Sequence, residues 1–138
     1  MVILRKGKLE REERVKLHFL TSEEESAIKR SIPWESIDVK ARELVLLANE
    51  VKGIATLQSC AGHVKPGLDI SWKISAAFIA FRVTKKRMEQ ILYGLCPELG
   101  IWDVNIRYFE DGTFWICIEV DPAHRQRLAD FFSKLAKL

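Results

Sequence analysis

Six consecutive residues combine an amide, a hydroxyl, a thiol, a glycine and an imidazole: Gln58-Ser59-Cys60-Ala61-Gly62-His63. They lie at the end of a predicted strand and begin a long loop, and long loops inside compact domains are commonly functional. Gly62 can adopt positive φ and let backbone N–H groups turn towards an anion, while Ser59, His63 and Lys65 add donors or charge. The loop therefore predicts a binding site for a phosphate or a carboxylate, with Ser59, Gly62 and Lys65 as ligand-binding residues.

The same loop also fits covalent catalysis. A thiolate is the nucleophile in such chemistry, and a nearby imidazolium favours that form, so Cys60 and His63 are the candidate catalytic residues. The alternative stays open: Cys60 is then a small buried apolar residue, Ser59 closes a turn and His63 is a solvated loop residue. Cys60 and His63 form a C-x-x-H half-site as well, but the remaining cysteines and histidines supply no second close pair, and we predict no metal site.

Capping residues and hydrophobic spacing predict the elements on the N-terminal side of the loop. Thr21 and Glu24 form a capping box that opens a short helix through about Ile32, before Pro33. A second helix is predicted from Ser36, and residues 54–60 form a short strand. The apolar positions of that second helix are Ile37, Ala41, Leu44, Ala48 and Val51, with Gly53 as a left-handed C-cap.

The elements after the loop follow from the same signals. Residues 76–83 are apolar on both sides, as in a central strand, and Thr84 can cap a helix that ends at Cys96-Pro97 and Gly100. Residues 102–108 and 114–120 alternate apolar and polar around the turn at 110–112, which predicts a hairpin. Asp121 as N-cap and Pro122 at the first helical position open the last helix.

These elements predict an α+β fold in one domain of 138 residues. Two strand-strand-helix units bury their apolar stripes best as a four-stranded antiparallel sheet with helices mainly on one face, in a permuted ferredoxin-like order. Residues 36–138 form the core of this prediction. Residues 1–20 are a poorly defined N-terminal extension, in which the alternation at 15–19 suits a short edge strand or a helix.

Composition limits the class of protein. Hydrophobic residues make up 48% and charged residues 30%, with a formal net charge of +3, which suits a globular protein. The apolar runs are far shorter than the ~20 residues of a membrane span, and no signal-peptide core follows the charged start, so we expect neither membrane insertion nor export. Three cysteines favour reduced thiols in the cytoplasm. The scarcity of amides beside abundant lysine, arginine and glutamate is reported for proteins from hot environments.

Two groups of cations lie at predicted helix starts, where the helix dipole disfavours them. They are Lys85, Lys86 and Arg87 in one helix and Arg125 and Arg127, with His124, in the last. Nucleic-acid binding would explain them, and a solvated surface is the alternative. The permuted order puts the start of the last helix at the same end of the sheet as Ser59, with the Lys85 group at the far end.

The sheet face without helices is predicted to mix aromatic and charged side chains. Such a face can stack bases or pack against a second subunit, and Trp115 would anchor that homodimer. The residues expected on this face are Phe78, Arg82, Asp103, Asn105, Arg107, Trp115, Cys117 and Glu119.

Residues 23–63 resemble the wybutosine-synthesis tRNA methyltransferase family, above all in Ser36-Ile37-Asp38, residues 44–50 and Thr56-Leu57 followed by the six loop residues. Ser59, Cys60 and Gly62 match that family's Ser-Ser-Cys-Ser-Gly-Arg loop. The resemblance implies S-adenosylmethionine as cofactor, tRNA as substrate and Trp72 as a further ligand-binding residue. His63 stands where the family has arginine, and no histidine follows Trp72-Lys73. Small proteins with a Ser-Cys-x-Gly-His loop are similar too.

Two functions of different classes follow from the sequence. The first is a small nucleotide- or RNA-binding protein related to tRNA-modifying enzymes, with S-adenosylmethionine-dependent transfer as its potential reaction. The second is a non-catalytic homo-oligomeric interaction protein in which the Ser59 to His63 loop is structural.

Overall fold

The computed structural model describes residues 16–60, 77–95 and 102–138. Its elements are α1 (Ser22–Arg30), a 3₁₀ turn (Trp34–Ser36), α2 (Val39–Asn49), β1 (Ile54–Cys60), β2 (Ala77–Val83), α3 (Lys85–Leu95), β3 (Trp102–Tyr108), β4 (Phe114–Val120), a second 3₁₀ turn (Pro122–His124) and α4 (Arg125–Ala136). This is the mixed α+β arrangement predicted from the sequence.

The four strands form one antiparallel sheet in the order β1-β2-β4-β3. This is not the plain ferredoxin order. It is the order obtained when the chain of that fold is circularly permuted so that its second strand comes first, which confirms the predicted fold class. The register places Cys60 opposite Phe78 and Ala77 opposite Val120, so α4 follows the sheet end at which β1 stops. Thr84 and the start of α3 lie at the other end.

Alternation along the strands gives the sheet one apolar face, and α2, α3 and α4 cover it. In β4 every second side chain from Phe114 to Val120 is buried, because these residues point towards the helices. The helices contribute Leu44, Ile91 and Phe132 to the same core. Burial of this apolar surface is what holds the helical layer on the sheet.

Local capping places most helix boundaries where the sequence predicts them. The capping box of Thr21 and Glu24 is present, and Asp121 accepts a hydrogen bond from the N–H of Ala123. The predicted start of α2 at Ser36 is wrong by three residues. Asp38 caps the helix by accepting from the N–H of Lys40 at 3.0 Å, so α2 begins at Val39.

Gly53 does not cap α2 directly, because the helix already ends at Asn49. Its φ of +94° instead turns the chain into β1, and a Cβ at this position would lie 2.9 Å from both Arg87 Cγ and Thr84 Oγ1. Its N–H donates to Glu25 and its carbonyl accepts from the N–H of Thr84. Only glycine fits this turn without strain.

Residues 16–20 contact the sheet near the end of β2 through individual main-chain hydrogen bonds. His18 forms an isolated parallel bridge with Thr113, and the N–H of Leu20 donates to the carbonyl of Val83. The edge strand suggested for this segment is therefore reduced to a single bridge within residues 16–20, and residues 1–15 lie outside the described part.

Arg87 joins the corner around Gly53 to the end of α4. Its side chain is only 8% exposed. Nε donates to the carbonyl of Lys52 at 2.7 Å, and one terminal nitrogen donates to the carbonyl of Leu135 at 3.0 Å and to Gln90 at 2.9 Å. The guanidinium thus satisfies carbonyls from two segments that are distant in sequence.

We predict that Arg87→Met lowers the free energy of unfolding by about 1–3 kcal/mol, since it leaves buried carbonyls without a donor while keeping the aliphatic stem. Urea denaturation followed by circular dichroism measures this. The matched control is Lys86→Met on the exposed neighbour, which should stay within about 0.5 kcal/mol of wild type. Equal stabilities of the two variants would contradict the role assigned to Arg87.

An ion pair fixes α1 to the sheet. Arg82 donates to Glu24 Oε2 at 2.6 Å and to the carbonyl of His18 at 3.2 Å. This hydrogen bond from Arg82 is the main cause that lowers the pKa of Glu24 from 4.5 to about 2. The carboxylate form is therefore the one that stabilises the folded chain.

We predict that Glu24 contributes fully to stability above pH 4.5 and that this contribution is lost as the pH falls towards 2. In this range the carboxylate binds a proton more readily in the unfolded chain than in the folded chain, so acid favours unfolding. The measurement compares urea unfolding of wild type and Glu24→Gln across this range. Glutamine keeps the capping-box position. The difference between the two proteins should shrink on acidification, and a difference independent of pH would refute the assignment.

Candidate functional site

A groove of about 320 Å³ lies beside β1, and Ser59 is one of its lining residues. Ser31, Ser36, Thr56 and Ser59 supply hydroxyl groups to its lining. Its described lining residues come from α1, the connection to α2, α2 itself and β1: Ile28, Ser31, Ile32, Pro33, Ser36, Ile37, Asp38, Val45, Thr56, Leu57, Gln58 and Ser59. We refer to it as the β1 groove.

A β-bulge gives Ser59 its place in the groove. Thr56 lies opposite Phe81 and Gln58 opposite Ala80, so Leu57 is the additional residue at which the register shifts. Ser59 is then opposite Ile79, a core residue, and shares the helix-covered side of the sheet with Thr56. Bulges re-aim side chains in this way, and here the bulge turns a hydroxyl towards the groove.

Asn49 fixes the wall that α2 shares with β1. Its Nδ2 donates to Thr56 Oγ1 at 2.7 Å and to the carbonyl of Val45 at 2.8 Å, and its Oδ1 accepts from the N–H of Thr56 at 3.1 Å. The family resemblance covers Asn49 only as one of residues 44–50. In the structure it ties α2 to β1 through two hydrogen bonds to Thr56, the residue before the bulge.

Most of the predicted loop lies outside the described residues. Gly62, His63, Lys65 and Trp72 belong to that part, and of Cys60 the structure describes the main chain, which pairs with Phe78. The catalytic assignment of Cys60 and His63 therefore stays a prediction. Gln58 and Ser59 are the residues of the six-residue motif that line the groove in the described part of the chain.

The two groups of cations lie at opposite ends of the sheet, as predicted. Lys85 and Lys86 are exposed at the start of α3, whereas Arg125 follows the end of β4. Arg125 and Arg127 both interact with other parts of the protein. Arg87 differs from the expectation for its group, because its guanidinium is buried and bonded to main-chain carbonyls. The cations thus form no single patch.

The sheet face opposite the core carries an aromatic and cationic cluster. The guanidinium of Arg107 lies 5.6 Å from the ring centre of Trp115 and 5.8 Å from that of Phe109, and the two rings are 5.1 Å apart. Register adds Asn105 beside Cys117. We call the part of this face formed by Phe78, Asp103, Asn105, Arg107, Phe109, Trp115, Cys117 and Glu119 the open sheet face.

Two details of this face differ from the sequence prediction. Arg82 lies on this side of the sheet as expected, opposite Ala55, but its guanidinium is buried and bonded to Glu24 and His18. Phe109 was missed, since it follows the last residue of β3 and lies outside the alternating pattern. Its N–H donates to the carbonyl of Thr113, and this turn bond brings the ring to Trp115.

No group of three or more metal-ligating side chains occurs within residues 16–60, 77–95 and 102–138. None of the helices in these ranges is long and apolar enough to cross a membrane.

No family model, no curated protein and no solved structure matches this chain. The resemblance to the tRNA methyltransferase family rests on the loop motif and its flanking residues.

The β1 groove can be compared with S-adenosylmethionine, the cofactor that the resemblance implies. This molecule joins a nucleoside to a cationic sulfonium and an amino acid. The described lining suits it in kind: Ile28 and Ile32 offer apolar surface, Ser59 a hydroxyl and Asp38 a negative charge. These are the residues that would hold it, and the cofactor would supply the methyl group.

Cys117 on the open sheet face has a raised pKa. Burial is the main cause; Glu119 raises it further, and Arg107 lowers it. A smaller fraction of the thiol is then ionised near neutral pH.

We predict that iodoacetamide alkylates Cys117 more slowly in the folded protein than in urea, because the thiolate is the reactive form. Mass spectrometry of the peptide containing Cys117 gives the rate. Glu119→Gln should increase the rate by removing a neighbouring negative charge, whereas Glu110→Gln in the exposed turn should not. Identical rates for Glu119→Gln and wild type would contradict this electrostatic effect.

Proposed function

We propose that the protein binds single-stranded RNA through its open sheet face. The observation that carries the proposal is the cluster of Arg107, Phe109 and Trp115 on a four-stranded sheet whose other face is covered by α2, α3 and α4. Sequence-specific RNA recognition targets unstacked bases, which stack on aromatic rings or guanidinium planes while their edges form hydrogen bonds. Trp115 and Phe109 offer such rings, and Asn105 offers an amide at a neighbouring position.

The position of Phe78 strengthens this proposal. Phe78 lies on β2, next to β4, and is opposite Glu119 in the register. Phe78 and Trp115 therefore lie on the two central strands, and both side chains are half-buried. Two aromatic rings on adjacent central strands can stack two bases of one strand of RNA.

The charges of the face favour modest rather than strong binding. Arg107 attracts phosphate, while Asp103 and Glu119 oppose it. The salt dependence of binding reports the number of neutralised phosphates, at a slope of about −0.7 per phosphate for single strands. We therefore expect a shallow dependence on salt, in which stacking supplies most of the affinity.

The cations at the starts of α3 and α4 support RNA binding less well than the open sheet face does. Lys85 and Lys86 lie at the other end of the sheet from Arg125, so one short RNA strand meets them separately. Arg87 is buried. Their contribution stays a prediction, and Lys86→Ala combined with Arg125→Ala measures it.

The family resemblance extends the proposal to tRNA modification with S-adenosylmethionine in the cytoplasm. It is supported by Ser59, Cys60 and Gly62 in the loop motif and by the lining of the β1 groove. Thermal denaturation with and without S-adenosylmethionine tests the cofactor, and sequencing of copurified RNA tests the substrate class.

A homodimer through the open sheet face is the second candidate. Half-buried aromatic side chains on an open face are also typical of subunit interfaces, and Trp115 would be the anchor. A dimer would cover the rings that the RNA proposal needs.

We predict that Trp115→Ala weakens binding of a short fluorescein-labelled single-stranded RNA about 5- to 150-fold, which corresponds to the loss of about 1–3 kcal/mol of stacking on one base. Fluorescence anisotropy measures the affinity. The matched control is Trp34→Ala, since Trp34 is exposed but lies in the turn before α2. Wild type should bind the same RNA more weakly as a duplex, in which the bases stack on one another.

Sedimentation of the same proteins separates the two candidates. RNA binding that is equal in wild type and Trp115→Ala would refute the RNA proposal. A wild-type dimer that Trp115→Ala converts to monomer, without RNA binding in either protein, would establish the interaction protein instead.

A further inference from the structure

The lining of the β1 groove mixes apolar side chains with hydroxyls. Ile28, Ile32 and Pro33 offer apolar surface, while Thr56 and Ser59 add hydroxyls from β1. Ligand pockets typically have this composition, with a few placed polar groups among apolar side chains and a volume of about 300–1,000 Å³. At about 320 Å³ the groove suits a single nucleoside-sized molecule.

The guanidinium of Arg42 lies beside the groove, since its Nε donates to the carbonyl of Ile37, a lining residue. Asp38 is the one charged side chain among the described residues that line the groove itself. Its Oδ1 accepts from the N–H of Lys40, which fixes the carboxylate at the start of α2. A helix start otherwise favours anions, but here the protein's own carboxylate already holds that position.

We infer that the β1 groove binds an uncharged or cationic nucleoside and rejects the corresponding 5′-phosphate. Carboxylates bind ribose hydroxyls in nucleotide sites of other folds, and a carboxylate has lone pairs beyond the one used for capping. Asp38 can therefore accept from a ribose while the apolar wall holds the base. The same negative charge repels a phosphate group, which carries about two negative charges.

This inference does not rest on RNA binding. Ser59 and Thr56 lie on the helix-covered side of the sheet, whereas Trp115 belongs to the open sheet face. Substitutions at the two sites can therefore be read separately. The phosphate or carboxylate expected for the loop stays a prediction, because Gly62, His63 and Lys65 lie outside the described residues.

Isothermal titration calorimetry with adenosine and adenosine 5′-monophosphate tests the inference. Adenosine should bind to wild type, and the monophosphate should bind roughly tenfold more weakly or worse, as expected for like charges a few ångströms apart in a partly solvated site. Asp38→Asn should reduce this difference, because asparagine keeps the N-cap and removes the charge. Ser59→Ala should weaken adenosine binding, whereas Ser26→Ala on the exposed side of α1 should not.

Asp121→Asn is the matched control for charge. Asp121 caps the turn before α4 by the same kind of bond, outside the described lining of the groove. It should leave the preference for adenosine unchanged. Trp115→Ala should also leave adenosine binding unchanged, whatever it does to RNA affinity.

The inference would be overturned by binding of neither compound, by binding of the monophosphate as tight as that of adenosine, or by an unchanged preference in Asp38→Asn. Loss of adenosine binding in Trp115→Ala would overturn it too, since the nucleoside would then bind on the sheet face.

Discussion

The guanidinium of Arg87 bonds segments that the sheet alone leaves unconnected. It donates to the carbonyl before Gly53 and to a carbonyl in the last turn of α4. Gly53 makes room for it, because any larger residue would meet Arg87 and Thr84. The buried guanidinium of Arg87 has carbonyl acceptors for its N–H groups, and these hydrogen bonds hold α3 and α4 together at this end of the molecule.

The buried contacts of Arg87 and the groove proposed for binding lie at opposite ends of the sheet. The Arg87 corner lies where β1 begins and β2 ends, while Ser59 and the start of α4 lie at the opposite end. There the helices α2 and α4 begin near the end of β1, and Asp38 and Asp121 cap the turns that open them. Because the contacts of Arg87 stabilise the other end of the sheet, the end near Ser59 can carry polar groups that contribute little to the core.

The two faces of the sheet add a second division. On the covered face, the bulge at Leu57 brings Ser59 to the helices and hence to the β1 groove. On the other face, Arg107 is exposed and Trp115 is half-buried. The proposed nucleoside site and the proposed RNA surface are thus separated by the sheet itself, which lets each be altered without the other.

The sequence by itself determined the elements whose signals are local. The capping box of Thr21, the turn at Gly112 and the cap at Asp121 each depend on bonds within a few residues, and the alternation in β4 fixed which face is buried. Only the tertiary structure decided the role of Arg87, which bonds a carbonyl 48 residues away, and of Arg82, whose partner Glu24 is 58 residues away. It also decided that α1 forms a wall of the groove. Such contacts depend on how distant segments meet, and neither spacing nor composition records that.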